Sequence, residues 1–189
     1  MVRPASRNLA ISCYPKIMSE SGITLHAHLP LDWQATQTFP PLLLAEWMHS
    51  NLICLHALAA LESHDKEIDT SATGEHVAGR LEAKVDLLLQ LVGELMRKQQ
   101  PSPPSVDVAL GADEIIWDST TPIAAGSEGT ITLFLSPRLH WPLTLPVHVI
   151  SVQGTKVHAK PVHLSEEVQE WLERTLFRYH RRALQARAR

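Results

Sequence analysis

Two cysteines in 189 residues, Cys13 and Cys54, are too few and too scattered for a disulfide scaffold or a cysteine-based zinc site. No G-x-S-x-G, H-E-x-x-H or C-x-x-C occurs, and Gly126-Ser127-Glu128-Gly129 lacks the Gly-Lys-Ser/Thr ending of a phosphate loop. Serine, cysteine and zinc-hydroxide chemistry therefore lack their signatures, and no catalytic residue is expected. Charge of one sign is missing as well. A formal net charge of −3 gives a general polyanion-binding role no support, and no sheet interleaves aromatic with basic residues as RNA readers do, so nucleic acid is not an expected partner. Residues 1–15 contain Arg3 and Arg7 but no continuous apolar segment, and the apolar stretch around Leu42 to Met48, itself broken by Glu46, is short for a bilayer span. The expectation is a reducing, cytoplasmic setting without membrane insertion.

Eleven histidines raise the question of a metal. His26-x-His28 places two imidazoles on one face of a strand, but no third ligand follows at a recognisable spacing. His148, His158 and His163 could share a face without the sequence placing them together. No metal and no cofactor are expected.

What the chain does have is a heptad seam: Ala78, Leu81, Val85, Leu88, Val92 and Leu95, spaced alternately by three and four. Leu87, Leu89, Leu91 and Met96 widen it. A preceding helix opens at Pro40-Pro41 and runs to about Glu62, with Ala45, Met48, Leu52, Leu55 and Ala59 on its own stripe and Trp47, Leu58 and Leu61 beside it. The polar residues 64–71 read as a connection, and the second helix runs from about Glu75 to Gln99, ahead of Pro101-Ser102-Pro103-Pro104. Valine at Val85 and Val92 with leucine at Leu81, Leu88 and Leu95 suits a parallel two-stranded coil; the apolar flanks ask for more neighbours. Either the hairpin folds back on its own chain, or it joins copies of itself through Met48, Leu52, Leu55, Leu81, Val85, Leu88, Val92 and Leu95. A homotetramer is favoured, with a dimer as the alternative.

Three regions follow. Residues 1–38 contain the alternating run 23–29, which reads as a strand ending at Pro30 and able to pair with later strands. Residues 39–100 form the helical hairpin. From 101 to 189 the pattern changes to five short β-type runs, 106–110, 114–117, 129–135, 145–150 and 156–160, separated by turn residues at 111–113, 126–129 and 153–155. Five runs at this spacing imply an antiparallel barrel or sandwich. A closing helix begins at Ser165, a good N-cap, with Glu166 and Glu167 in its first turn and arginines at its far end. The fold class is α+β.

From Val106 onward the chain resembles a PilZ domain, the small β-barrel that typically receives cyclic di-GMP. The resemblance lies in residues 108–117, in 122–129 leading into a strand, in Val162-His163-Leu164-Ser165, and in the helical run 172–182. With a helical hairpin between an N-terminal strand and the barrel, the chain looks like an atypical, self-assembling variant of that family. The resemblance implies a PilZ-like antiparallel β-barrel with long heptad-containing helices and a C-terminal helix.

The family's ligand motif is absent position by position. Its members use R-x-x-x-R ahead of the barrel and a [D/N]-x-S-x-x-G turn within it, where guanidinium groups pair with phosphate and glycine lets the backbone approach. Here Ala109 stands for Asp or Asn, Gly111 for Ser, and Glu114 for the final Gly, with a charge of the wrong sign for phosphate. Ahead of the barrel, Arg97-Lys98-Gln99-Gln100-Pro101 lacks the second arginine. Arg3 and Arg7 spell R-x-x-x-R far from the barrel. The function expected is therefore a non-catalytic signalling or adaptor role through contacts with motility, virulence or signalling proteins, without cyclic di-GMP binding of the usual kind. The alternative is a cyclic di-GMP receptor using Arg3, Arg7 or the C-terminal arginines.

Overall fold

The computed structural model describes residues 23–67, 84–85, 87–88, 91–98 and 102–187. Six antiparallel strands close into a barrel in the order β1-β2-β3-β6-β5-β4. They are β1 Leu25–Ala35, β2 Ser105–Leu110, β3 Ile115–Asp118, β4 Glu128–Leu133, β5 Leu143–Gln153 and β6 Lys156–Pro161. Helix α1, Pro41–Glu67, is inserted between β1 and β2, and α2, Glu166–Arg187, closes the chain. The PilZ-like α+β expectation is met, and the choice between barrel and sandwich falls to the barrel because β1 joins the two free edges.

That strand corrects the sequence reading. It does not stop at Pro30 but runs to Ala35, changing partner on the way: Leu25 to Pro30 pair with β2, and Leu31 to Ala35 pair with β4. Proline has no N–H to give to a ladder, so it is tolerated where one ladder ends and the next begins. Its carbonyl accepts from Phe134 N at 3.2 Å, and Leu31 N donates to Pro104 O at 3.3 Å across the same corner. Leu25, Ala27, Leu29 and Leu31 point into the barrel. There they join Val108, Leu110, Ile115, Trp117, Ile131, Leu133, Leu145, Val147, Val149 and Val157.

The second correction concerns α1, which continues to Glu67 rather than ending near Glu62. No Gly or Pro lies between 62 and 67, so the polar residues there continue the helix at little cost. On length and composition alone Pro41–Leu61 is sufficient to cross a bilayer. Its middle, however, is spent on the barrel. Asn51 is fully buried; its Nδ2 donates to Thr144 O at 2.7 Å and its Oδ1 accepts from Thr144 N at 2.9 Å. Thr144 lies in the part of β5 that extends beyond its pairing with β6, so the amide side chain takes the place of a missing strand. Next to it Trp141 Nε1 donates to Ser50 Oγ at 3.0 Å, and the Cys54 thiol, whose pKa burial pushes up to about 12, sits 3.6 Å from Trp141 O.

Asn51→Ala is expected to leave the N–H and C=O of Thr144 without their partner and to cost about 2–6 kcal/mol, at roughly 1–3 kcal/mol for each abandoned group. Urea unfolding followed by circular dichroism measures it; a midpoint unchanged from the parent chain contradicts the role assigned to this side chain.

Helix α2 packs its Val168, Leu172, Thr175 and Leu176 face inward, at helical spacing. Ser165 Oγ accepts from Val168 N at 3.3 Å, the N-cap read from the sequence. Against α1 it sets Trp171 edge-on to His56, with ring centroids 4.2 Å apart.

Candidate functional site

Three surfaces bear on function. The first is the turn between β2 and β3, around which the sequence reading expects Ala109, Gly111 and Glu114 to replace a ligand motif. Gly111 N donates to Glu114 O at 2.8 Å, closing the turn, and a Cβ on Gly111 would lie 3.2 Å from that same oxygen. Ala109 lies on β2 between His26 of β1 and Ile116 of β3, and Ile116 in turn faces His158 of β6. Glu114 reaches back to this row, its Oε2 3.4 Å from His158 Nε2. Asp113 Oδ1 accepts from Gln169 Nε2 at 3.2 Å, which ties the turn to α2. Two carboxylates, Asp113 and Glu114, thus stand at this turn, one of them bonded to α2.

Among the described residues the histidines lie apart from one another. His28 Nδ1 is 2.9 Å from Asp107 Oδ1, and His148 Nδ1 is 3.7 Å from Glu128 Oε1. His163 has left the barrel for a left-handed residue at φ 56°, with its ring 5.4 Å from that of Phe39. Among the described residues no group of three or more His, Cys, Asp or Glu could hold a metal ion.

The second surface is the heptad seam. Helical residues 84–85, 87–88 and 91–98 carry Val85, Leu87, Leu88, Leu91, Val92 and Leu95, which are between 45% and 60% exposed. The chain itself meets this helix at Gly93, which is buried and whose Cβ, if present, would lie 3.6 Å from Arg138 O. Of the other seam positions, Met48 and Leu52 of α1 are partly buried against the core, while Leu55 is fully buried. Leu55 therefore corrects the seam drawn from spacing: its side chain is already used within the single chain, packed with Cys54 and Leu58 in the core, and has no surface left for a second copy. Leu81, Arg3 and Arg7 lie outside the described residues.

The third surface uses two of the C-terminal arginines that the sequence offers for the alternative reading, in a groove the sequence does not show. Arg174 and Arg178 of α2, one turn apart, line a groove of about 510 Å³ together with Glu173, Phe177 and Ile23. The five-residue spelling R-x-x-x-R was present at 174–178, but nothing local distinguished it from a solvated helix end. Only the arrival of Ile23, from the other end of the chain, makes a groove of it.

Comparisons with known proteins agree with this architecture. A family model described as the atypical PilZ domain, cyclic di-GMP receptor, matches residues 52–189. Among solved structures, a pathogenic protein from Xanthomonas campestris, described as a tetrameric PilZ domain self-assembled through an unusual helical bundle, is similar with a TM-score of 0.69 and 24% identity. The similarity covers 86% of this chain and 90% of that one, and at this identity it concerns the fold. No curated protein matches.

Proposed function

The chain belongs to the atypical PilZ domain family, and from that membership we propose that it is a non-catalytic signalling module that assembles with copies of itself and acts through protein contacts. The observation that carries this reading is the exposed apolar strip from Val85 to Leu95. A monomer that kept six large aliphatic side chains half in water along one helix would be poorly soluble, whereas burial in a bundle gains roughly 1.5–3 kcal/mol for each side chain fully covered. Leu87 and Leu91 broaden the strip beyond the a and d positions, which favours four helices over two. The tetrameric bundle described for the Xanthomonas protein of the same fold supports a tetramer here. A cytoplasmic setting and partners from a motility, virulence or other signalling pathway belong to the same reading.

The family's receptors take cyclic di-GMP; in this chain the usual barrel site is not expected to. Glu114 paired with His158, and Asp113 tied to Gln169, set negative charge and a closed turn where phosphate has to sit. A second reading, a receptor with displaced arginines, is favoured by one observation: Arg174 and Arg178 line a groove.

Light scattering on a sizing column is expected to return about four times the chain mass of 21.1 kDa, and a monodisperse monomer refutes the assembly. Isothermal titration with cyclic di-GMP is expected to show no binding. Micromolar binding that disappears in Arg7→Ala or Arg178→Ala selects the second reading.

A further inference from the structure

The outer side of α2 carries a pattern that neither the barrel nor the seam uses. All four of its carboxylates, Glu166, Glu167, Glu170 and Glu173, precede Arg174; beyond them come Arg178, Arg181, Arg182 and Arg187 and no acid. Within this cationic half two large apolar side chains stay open to solvent, Phe177 and Leu184, each 52% exposed. Seven residues apart, they share one stripe and stand about 10 Å apart along the axis. Phe177 is also a wall of the groove that Ile23, Arg174 and Arg178 complete. Arg174 is already held in place, bonded to Glu170 and lying 5.4 Å over the Trp171 ring.

We propose that this stripe docks an acidic amphipathic segment of a partner protein. One apolar side chain of the segment enters the groove against Phe177 and Ile23, and a second, two helical turns on, covers Leu184. Carboxylates beside them meet Arg174, Arg178 and Arg181. The sign of the partner follows from charge complementarity, since guanidinium forks match carboxylates in pairs. Its form follows from the seven-residue spacing, which is the anchor spacing of a helix laid along a helix. Because Arg174 is held before the partner arrives, little side-chain freedom is lost on docking.

A lipid surface suits the geometry less well. Ile23 stands beside Phe177 as a second wall of the groove, and a helix lying flat on an anionic bilayer would press all four glutamates toward the headgroups, whereas a segment laid along Arg174 to Leu184 leaves Glu166, Glu167 and Glu170 beyond its end. The inference deepens the adaptor reading and rests on it in naming a protein partner; assembly then multiplies identical sites and raises avidity without new contacts.

The test is fluorescence anisotropy with the full chain and a labelled synthetic helix bearing two leucines seven residues apart among glutamates. The same helix with lysines for glutamates serves as counter-probe. The glutamate helix is expected to bind, more weakly as ionic strength rises, and the lysine helix not to bind. Phe177→Ala and Arg181→Glu, both at exposed positions, are each expected to weaken binding about 10-fold or more. Light scattering on the same samples separates the two ideas: a chain that proves monomeric yet binds the glutamate helix keeps the docking site and loses the assembly. Equal binding of both helices overturns the proposal, and so does indifference to both substitutions. A change of oligomeric mass in Phe177→Ala overturns it in favour of a second copy. Preference for phosphatidylglycerol vesicles over the glutamate helix overturns it in favour of lipid.

Discussion

Replacing Leu88 and Val92 together by glutamate is expected to take the proposed assembly apart into monomers that keep their fold. In the single chain Leu88 is 60% and Val92 50% exposed, so glutamate at either position touches little and changes monomer stability by only about 0.5 kcal/mol. In a bundle the same change is repeated in every copy. Each copy loses two apolar anchors, and each new carboxylate has to leave water beside its symmetry mates, at a cost of several kcal/mol per buried ion. A tetramer with eight such charges along one axis does not survive. Light scattering is expected to fall to the mass of one chain while the far-ultraviolet circular dichroism stays that of the parent. An unchanged mass removes the seam from the interface. Leu55→Ala provides the contrast. That side chain is buried in its own chain, so its loss is expected to lower unfolding stability by about 2–5 kcal/mol.

The second large effect is expected at Gly129, where β4 pairs with Ala35 at the end of β1. A Cβ there would fall 2.4 Å from Gln34 O and 2.4 Å from the Trp33 ring. The ring is no easier to displace than the backbone, because Trp33 leans on the buried Trp117 with centroids 5.8 Å apart. Gly129→Ala therefore pushes β1 away from β4 at the seam that closes the barrel. The expected cost is about 3 kcal/mol or more, beyond the usual range for overpacking because backbone has to move. Thermal unfolding measures it. Gly126 and Gly154 make the comparison: both have positive φ, at 82° and 63°, but open space around the missing Cβ. Alanine there is expected to cost only the left-handed conformation, about 1–2 kcal/mol. A Gly129→Ala chain as stable as those two contradicts the packing described.

Legibility in the sequence followed the range of the interaction. The strands β2 to β6 were visible because alternation along a strand is a property of neighbouring residues, and the start of α2 because Ser165 caps it from one residue away. The residues of the β2–β3 corner, Ala109, Gly111 and Glu114, were likewise legible, since they concern only which side chains exist. Asn51 gave no signal: inside an apolar helix an asparagine that completes a strand edge reads the same as one facing water. Leu52 and Leu55 shared a stripe in the sequence, yet one is fully buried and the other only partly, because the docking angle of α1 on β5 is set by Asn51, Cys54 and Trp141 rather than by periodicity. Proline at Pro30 misled for the same reason, since a missing N–H matters only relative to a partner strand.

By itself the sequence determined the element types, the PilZ resemblance, the side chains at the β2–β3 turn and an apolar heptad spacing. Those properties reside in local spacing and in the chemistry of single side chains. The tertiary structure alone decided that β1 closes the barrel, that Leu55 belongs to the interior while Val85, Leu88 and Val92 face outward, and that Ile23 meets Arg174 and Phe177 in a groove. Each of these joins residues far apart in the chain, and contacts of that kind are set by how the folded elements pack rather than by any local pattern.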